Sequence, residues 1–315
     1  MTLHVLTESP SHTMATSLTQ FEAAFTYPLG PHRHFSIVHG DDYTRFFCAI
    51  GTACCVVDEH EGRVNGCISV ALRPLRCPGG EEQLCAYIGD LKVAQAARGG
   101  RTLLRLATTA KHWIGEAANA AYAVVMDGSR ALPENYTGRL SIPLFLPLAR
   151  LLVLRVPTAM ADVTELWRSD QACGQSCFRA LSMGCYAGLG HSASVATRSA
   201  MAPQWLVEPN HLACGRVEDT ARAKRLIADD GREMRSAHCS SFAYRDPEAG
   251  ALLLRHACQI ARHSGYEWLF VAVPEAEGRC LLDSLGFDGV TVAPAMVYGS
   301  GFVPDQKWNI DTAEI

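Results

Sequence analysis

The sequence predicts an α/β protein made of two domains, and three observations support this. The chain has 315 residues, roughly twice the ~150 residues of a common domain. Its first half contains a strand, a glycine-rich turn, a long amphipathic helix and a second strand, in that order. A similar order of strand, helix and strand returns in the second half, about one domain length later. We therefore expect an internal duplication.

Composition and charge exclude several classes of protein. Hydrophobic residues make up 48% of the chain and charged residues 19%, which is typical of a globular protein with a large core. The 28 Lys and Arg are opposed by 32 Asp and Glu, so no basic excess is present to bind nucleic-acid phosphates. Apolar runs such as 120–126 are far shorter than the ~20 residues of a membrane-spanning helix. With no secretion signal at the N-terminus, we expect a cytoplasmic protein that binds neither nucleic acid nor a membrane.

The 13 cysteines predict reduced thiols rather than a disulfide framework. Many stand in apolar runs, as Cys54 and Cys55 do, and their number is odd. No two cysteines are three positions apart and no His-Glu-x-x-His sequence occurs, so the usual zinc motifs are absent. Cys173, Cys177 and Cys185 come nearest to a metal-binding spacing, but we expect no metal.

The first half is predicted to start with a loose tail at residues 1–20, because this segment shows no sustained periodicity. The elements expected after it are a strand at 35–39, a capped helix at 43–50, a hairpin of 54–57 with 64–72, a loop at 73–83, a strand at 84–93, a helix from 103 to 117, a strand at 122–126 and a strand-like run at 142–156. We expect that last run to close the first domain, with the boundary at 158–164.

The second half is predicted to repeat this order. The expected elements are a strand at 239–244, a helix at 252–263, a strand at 268–273 and a helix at 275–285. Gly286 is placed to stop the last helix. The predicted division is a tail at 1–20, a first domain at 21–163 and a second at 164–315.

The glycine-rich turn between strand 84–93 and the helix from 103 carries the strongest functional signal. A strand that turns at Gly99 and Gly100 and leaves as a helix exposes backbone N–H groups at the positive end of the helix dipole, which favours an anion. Arg98, Arg101 and Arg105 add positive charge at the same end. The alternative is a tight connection that carries solvated arginines.

This segment and the elements around it resemble the GNAT superfamily of acyl-CoA N-acyltransferases over most of residues 35–157. In that family a strand with a Leu-x-Val-like ending is followed by Arg/Gln-x-x-Gly-x-Gly/Ala and a long helix, and the loop amides hold the CoA pyrophosphate. The matching positions here are Leu91, Lys92, Val93, Arg98, Gly99, Gly100, Arg101 and Thr102. The resemblance implies that these residues bind acetyl-CoA or another acyl-CoA, without a metal.

Two positions of the loop depart from the family pattern. If Gly100 is the first glycine, Thr102 replaces the second. Ala97 stands where Arg or Gln is usual, with Arg98 one position later. The loop still offers amides, so acyl-CoA binding remains the expectation.

The second half resembles the same fold through its closing helix and the Leu285-Gly286-Phe287 ending. Its strand-to-helix turn differs, because Asp246 and Glu248 would repel a pyrophosphate and Pro247 removes an amide donor. The resemblance therefore implies two GNAT-like domains of α/β (α+β) class, each a mixed central sheet flanked by helices. We expect the second to be a degenerate copy that serves architecture or substrate binding.

Acyl transfer to an amine needs one group to take the amine proton and another to protonate the CoA thiolate. Asp90, on the strand before the loop, is the candidate for the first role. Tyr136, in the region where the family places its thiolate acid, is the candidate for the second. A carboxylate bonded to backbone and a surface Tyr in a polar loop are the structural alternatives for these two residues.

Three residues are candidates for binding the acceptor. His39 and Asp41 stand near the first strand and helix, where GNAT folds often build the acceptor pocket. Asp127 follows strand 122–126 in a charged segment that also holds Arg130. A helix cap beside a solvent-facing His, and a solvated loop, explain these residues as well.

The function expected from this resemblance is transfer of an acetyl or other acyl group from acyl-CoA to a small-molecule or peptide amine. A non-catalytic acyl-CoA-binding protein, an interaction module without a nucleotide and a thiol-based redox protein remain open as alternatives. The sequence identifies neither the acceptor nor the oligomeric state.

Overall fold

The computed structural model describes residues 1–28, 33–129, 132–139, 142–160, 163, 167–189, 192–286 and 288–315. Its strands are β1 (Thr2–Leu6), β2 (Tyr27–Pro28), β3 (His34–Val38), β4 (Thr52–His60), β5 (Arg63–Arg76), β6 (Glu82–Val93), β7 (Ala121–Met126), β8 (Leu146–Pro157), β9 (Cys185–Gly188), β10 (Gln204–Val207), β11 (Ala213–Asp219), β12 (Arg225–Ala228), β13 (Ser236–Tyr244), β14 (Trp268–Pro274), β15 (Thr291–Ser300) and β16 (Lys307–Asn309). Its α-helices are α1 (His12–Glu22), α2 (Arg45–Cys48), α3 (Thr102–Ile114), α4 (Pro133–Tyr136), α5 (Gln171–Leu181), α6 (Ser192–Arg198), α7 (Pro247–His263) and α8 (Glu275–Leu285). Short 3-10 helices span Gln95–Ala97, Thr158–Met160 and Thr312–Glu314.

One mixed sheet runs through both halves of the chain. Its strand order is β1-β4-β5-β6-β7-β15-β8-β14-β13-β11-β10, with β9 paired to β5 and to β16. Strands β6 and β7 are parallel, as are β13 and β14, while the other pairs along this order are antiparallel. A smaller sheet has the order β12-β3-β2.

The two halves exchange a strand at the centre of this sheet. Strand β8 follows β7 along the chain but pairs with β14 and β15, whereas β15, from the second half, pairs with β7. The order β5-β6-β7-β15 therefore mirrors the order β11-β13-β14-β8. The prediction that 142–156 closes the first domain is wrong, because β8 completes the sheet of the other half. An apolar run predicts a buried strand, but it does not identify the partner strand.

A β-bulge occurs at corresponding places in the two halves. Cys67 of β5 pairs with Lys92 of β6, and Ser69 pairs with Gly89. One residue on β5 therefore faces two on β6, so β6 contains one extra residue. On β13, the same insertion occurs opposite β11. Asp90, with φ of 52°, and Ser241, with φ of 49°, hold the left-handed conformation in these bulges, which is uncommon for residues other than glycine. This correspondence favours the predicted duplication. The duplication and the domain boundary near residue 163 both stay predictions. Residue 164 lies outside the described residues.

The first 20 residues are ordered, contrary to the predicted loose tail. Strand β1 pairs with β4 at the edge of the large sheet. Helix α1 begins after Ser11, whose side chain accepts a hydrogen bond from the Met14 N–H. Met14, Leu18 and Phe21 form a stripe of helical spacing that packs in the core. The tail acquires its order from these tertiary contacts.

Several boundaries also differ from the sequence prediction. Strands β5 and β6 extend into the predicted loop 73–83, leaving a short turn between Arg76 and Glu82. The predicted helix 43–50 is confined to α2, and α7 starts at Pro247 rather than at residue 252. Asp246 caps α7 by accepting a hydrogen bond from the Ala249 N–H, which fixes the earlier start.

Helices cover both sides of the large sheet. On one side, called the α3 side below, α3 packs through Leu106 and Ala110, while α7 and α8 cover the second half. The opposite side, called the α1 side, carries α1 and α2. Leu106 and Ala110 belong to the predicted amphipathic stripe, so that prediction is confirmed. No described helix is long and apolar enough to cross a membrane.

Candidate active site

A gap opens in the sheet where β6 and β7 diverge. The two parallel strands pair only through Ala86 with Ala121 and Tyr87 with Tyr122. Beyond these pairs lies a cavity of about 2010 Å³. Adjacent residues Val124 and Val125 both line it, and neighbours on a strand point to opposite faces. The cavity therefore reaches both sides of the sheet, so two reactants can meet through the gap.

The glycine loop lies at the α3 side of this cavity. Arg98, Gly99 and Gly100 line the cavity, and Gly99 has φ of +79°, which favours glycine. Arg101 precedes α3 without a side-chain cap on the helix N-terminus. In the described part of the chain, neither Arg98 nor Arg101 has an ion pair. The backbone donors and the positive charge predicted from the sequence are thus present at this end of α3.

Two other residues near the loop serve the core. Thr102 is only 4% exposed, and a Cβ at Gly66 would come within 3.0 Å of its methyl group, so its side chain faces the sheet. Arg105 lies 3.3 Å from the fully buried Asp58 carboxylate. Its charge therefore compensates Asp58, a partner that the sequence interpretation did not foresee.

Asp90 lies in the bulge of β6, at the edge of the gap, and is held by three side chains. Tyr43 donates a hydrogen bond of 2.8 Å to its Oδ2, and the Lys92 ammonium lies 3.1 Å from its Oδ1. His39 Nε2 lies 3.5 Å from the same carboxylate. The sequence candidates Asp90, His39 and Lys92 therefore come together in space.

Glu22, at the end of α1, completes this buried cluster. Its carboxylate lies 2.6 Å from His39 Nδ1 and 3.2 Å from Lys92 Nζ, and it accepts a hydrogen bond from the His39 backbone N–H at 3.1 Å. Sequence reasoning missed Glu22 because no element was predicted between the tail at 1–20 and the strand at 35–39, and it missed Tyr43 because Tyr43 was interpreted only as part of a helix. We call Glu22, His39, Tyr43, Asp90 and Lys92 the Asp90 cluster.

The electrostatics of this cluster make Asp90 a weak proton acceptor. Burial raises the pKa of Asp90, but the charges of Lys92 and His39 and the hydrogen bonds from Tyr43 and Lys92 outweigh it, so the pKa lies well below its usual range. Burial lowers the pKa of Lys92, but Asp90 and further partners raise it above its usual range. The two groups remain charged and paired at neutral pH.

Glu22, His39 and Asp90 are also close enough together to share a metal ion. Lys92 already places its ammonium against both carboxylates of this group. The positive charge of Lys92 therefore already compensates the carboxylates of Glu22 and Asp90. Cys173, Cys177 and Cys185, the cysteines considered from the sequence, are not part of this group.

Lys224 is a second titratable group at the cavity, and no sequence pattern predicted it. Its ammonium donates to the Ile315 backbone oxygen and lies 4.2 Å from the centre of the Phe46 ring. Burial lowers the pKa of Lys224 to about 7. The charge of Asp90 raises this pKa, and the charges of Arg198 and Lys92 lower it. A Lys with this pKa exchanges a proton near neutral pH.

The remaining sequence candidates fall in different places. Tyr136, in α4, lines the cavity, and burial with the neighbouring Tyr298 raises its pKa to about 12. Asp127 lines the cavity as well and lies 3.6 Å from Arg150. Asp41 is exposed and is not among the residues around the cavity. His39 lies behind Asp90 rather than on the cavity wall, while Arg130 is outside the described residues.

Leu91 and Val93 line the cavity next to the bulge, as does Lys92. The Lys92 side chain is 3% exposed and turned to the carboxylates. If Lys92 contacts a cofactor, it would therefore do so through its backbone atoms. A bulge frees backbone groups from the regular ladder, and this one does so beside the gap.

The corresponding gap in the second half is filled by the chain itself. Strands β13 and β14 pair only as far as His238 with Phe270. Beyond that point Asp311 accepts a hydrogen bond of 2.6 Å from the Ser241 N–H in the bulge, and Thr312 donates to the Phe270 carbonyl at 3.2 Å. The segment that includes β16 and Thr312–Glu314 thus occupies this gap. At the start of α7 the Asp246 side chain also accepts one of the backbone N–H donors, that of Ala249. Phe287 of the predicted family ending lies outside the described residues.

The chain folds like two acyltransferases of known structure. It matches Saccharomyces cerevisiae N-myristoyltransferase with bound myristoyl-CoA at a TM-score of 0.63 and 10% identity, over 99% of this chain and 87% of that one. It matches a GCN5-related N-acetyltransferase from Anabaena variabilis at a TM-score of 0.53 and 12% identity, over 95% of this chain and 72% of that one. The predicted GNAT-like fold, a mixed sheet flanked by helices, is confirmed. No family model and no curated protein matches the sequence.

Proposed function

We propose that the protein transfers an acyl group from acyl-CoA to an amine. The observation that carries this proposal is the gap between β6 and β7, which joins a glycine loop on the α3 side to an open wall on the α1 side. The likeness to acyltransferase structures supports the same reaction class. The proposed acceptor is an amine of a small molecule or a peptide. We still expect the protein to be located in the cytoplasm.

The donor would bind at the α3 side. Backbone amides of residues 98–102 would hold the pyrophosphate, with the exposed Arg98 and Arg101 close by. The thioester would then reach the bulge, where backbone amides near Leu91 and Val93 can stabilise negative charge on the carbonyl oxygen. The Asp90 cluster fixes the backbone of this bulge.

The transfer forms a bond between the amine nitrogen and the acyl carbon, and it breaks the carbon–sulfur bond. The amine must first lose a proton. With the pKa of Asp90 held low, Lys224 is the better proton acceptor, because its pKa of about 7 matches neutral pH. The CoA thiolate must gain a proton, and Tyr136, which lines the cavity, would donate it from its neutral phenol.

The acyl group is either the acetyl group that the GNAT resemblance implies or a longer chain. Ile68, Ala110 and Ile114 give the cavity an apolar lining on the α3 side, which would accept additional methylene groups. The structure of the yeast N-myristoyltransferase holds myristoyl-CoA, so a long chain is compatible with this fold.

The test is release of free thiol from acetyl-CoA and from myristoyl-CoA, each with a panel of primary amines. We expect amine-dependent release from at least one donor, and the ratio of the two kcat/KM values identifies the chain length. Tight CoA binding without any amine-dependent release would instead support the non-catalytic acyl-CoA-binding protein. Failure to bind either donor would contradict both.

A further inference from the structure

The wall of the cavity on the α1 side contains an arginine that the proposed reaction does not use. Arg155 on β8 pairs with Phe270 on β14, which in turn pairs with His238 on β13. Paired residues share one face of a sheet, and all three line the cavity. Phe270 packs with Val124 and Val153 in the core of the α1 side. Arg155 therefore lies on the side of the gap opposite α3 and the glycine loop.

The charge of Arg155 has no carboxylate partner in the described part of the chain. Its guanidinium lies 3.6 Å above the Trp268 ring, and its buried Nε lacks a hydrogen-bond partner. Burial, and then the charge of the nearby Arg33, lower the pKa of Arg155, while the charge of Glu267, which forms no ion pair with it, raises it. A half-buried guanidinium without a counter-ion is unfavourable, so the site favours an incoming anion.

The arginines nearest to Arg155 do have partners. Arg33 lies 3.4 Å from Asp229, and Arg232 lies 3.3 Å from Glu267. Asp229 and Glu267 thus form their ion pairs with Arg33 and Arg232, and not with Arg155. Arg155 is thus distinguished from its neighbours by the missing counter-ion rather than by a generally basic surface.

Two acidic groups elsewhere on the cavity wall also form ion pairs with arginines. Glu233 lies 3.8 Å from Arg225, and Asp127 lies 3.6 Å from Arg150. Arg235, which also lines the cavity, has no ion pair with any described residue, and its guanidinium lies over the Tyr266 ring at 5.4 Å. Arg155 and Arg235 therefore leave unneutralised positive charge on the cavity wall.

We propose that the acceptor is an amino carboxylate, a primary amine that also carries a carboxylate, and that Arg155 binds this carboxylate. This inference rests on the proposed acyl transfer. A guanidinium offers two parallel N–H donors that match the two oxygens of a carboxylate. With its carboxylate at Arg155, the acceptor would lie on the α1 side of the cavity, whereas the thioester would arrive from the α3 side.

The test compares each common L-amino acid with its carboxamide as acceptor, with saturating acyl-CoA. The carboxamide keeps the amine and the side chain and removes only the negative charge. Its amine loses a proton more readily, so chemistry alone would favour it. We expect the amino acid to be preferred, and we expect Arg155→Gln to lower kcat/KM for the amino acid by roughly 10- to 100-fold, as for loss of a charged hydrogen bond, with little effect on the carboxamide.

Two further variants serve as controls. Arg262→Gln makes the same change of charge at an exposed position of α7 that does not line the cavity, and it should retain the preference. Arg155→Lys keeps the charge but loses the paired donors, so it should recover part of the activity. Unchanged acyl-CoA affinity in all three variants would show that they are folded.

The outcomes separate this inference from the proposed function. Equal use of acid and carboxamide, or an Arg155→Gln enzyme with unchanged preference, would overturn the inference and leave acyl transfer standing. If no amine is acylated although acyl-CoA binds, the proposed transferase fails. Calorimetric titration of the amino acids into the CoA complex then decides the inference: binding that Arg155→Gln abolishes supports it, and absence of binding overturns it.

Discussion

The chemistry of the site depends on single residues whose protonation is controlled by burial. Asp90 is charged and fully engaged by Tyr43 and Lys92, whereas Lys224 is buried with a lowered pKa. The sequence interpretation gave the role of base to Asp90. The structure favours Asp90 as a group that orders the bulge and Lys224 as the group that exchanges a proton.

Tyr136 provides a test of the proton donor. Tyr136→Phe removes the phenol and retains the ring, so kcat should fall by ~10²- to 10⁴-fold, the usual contribution of a general acid. Acyl-CoA affinity, measured by calorimetry, should change little. A variant with the wild-type kcat for an identified acceptor would exclude Tyr136 from the mechanism.

The pH dependence of the rate tests Lys224. A base whose pKa is about 7 is protonated and inactive below that pH, so log kcat should rise with pH up to about 7 and then level off. Lys224→Met should remove this rise and lower the rate at pH 8. Asp90→Asn should retain the rise but move it to lower pH, because the charge of Asp90 raises the pKa of Lys224 while the pKa of Asp90 itself lies well below this range. If Lys224→Met keeps the same pH profile, another group is the base.

The parts of the site that could be predicted from sequence are local ones. Gly99 and Gly100 are adjacent to the helix that they precede, and Asp90 stands on the strand before them, so a short stretch of sequence places all three. Glu22, Lys224 and Arg155 come from distant parts of the chain and reach the cavity only through tertiary structure. No spacing rule connects them to the loop.

Among the elements, the glycine loop is where donor binding should be most sensitive to change. Gly100→Glu places a bulky anion beside the proposed pyrophosphate, so CoA affinity should fall by roughly 10- to 100-fold or more. Glu248→Ala, in the first turn of α7, changes the acidic residue at the corresponding helix of the second half and should leave affinity unchanged. Calorimetric titration with CoA measures both. Equal loss in the two variants would contradict a donor site in the first half.

Helix α1 is an integral element of the first half. Leu18 is 1% exposed and packs in the core beside β4 and β5. Leu18→Ala should therefore lower the free energy of unfolding by about 2–5 kcal/mol. Leu84→Ala, at a position 45% exposed, should change it by less than ~1 kcal/mol. Urea denaturation measures both, and equal small effects would restore the interpretation of this segment as a loose tail.

At the scale of the whole molecule, the order of the elements was more predictable than their pairing. Periodicity and turn residues indicated the hairpin of β4 and β5, the helix α3 and the recurrence of the pattern around α7. The exchange of β8 and β15 was not predictable, because partner choice depends on how two distant sheets meet and not on either strand alone. The same exchange makes the sheet continuous, so each half of the molecule is completed by the other.

The filled gap of the second half is the other feature that no local pattern revealed. Residues that enter it lie near the end of the described chain, and they bond to the bulge at Ser241 and to Phe270. The first half has the corresponding bulge at Asp90 beside an open cavity. We therefore expect one donor site per chain.

A crystal structure of the protein with a non-hydrolysable acyl-CoA analogue would locate the donor and count the molecules bound per chain. We predict one molecule per chain, with its pyrophosphate against the backbone of residues 98–102 and its thioester position in the gap between β6 and β7. A molecule bound at the start of α7, two molecules per chain, or a ligand that leaves the gap between β6 and β7 empty would contradict the account.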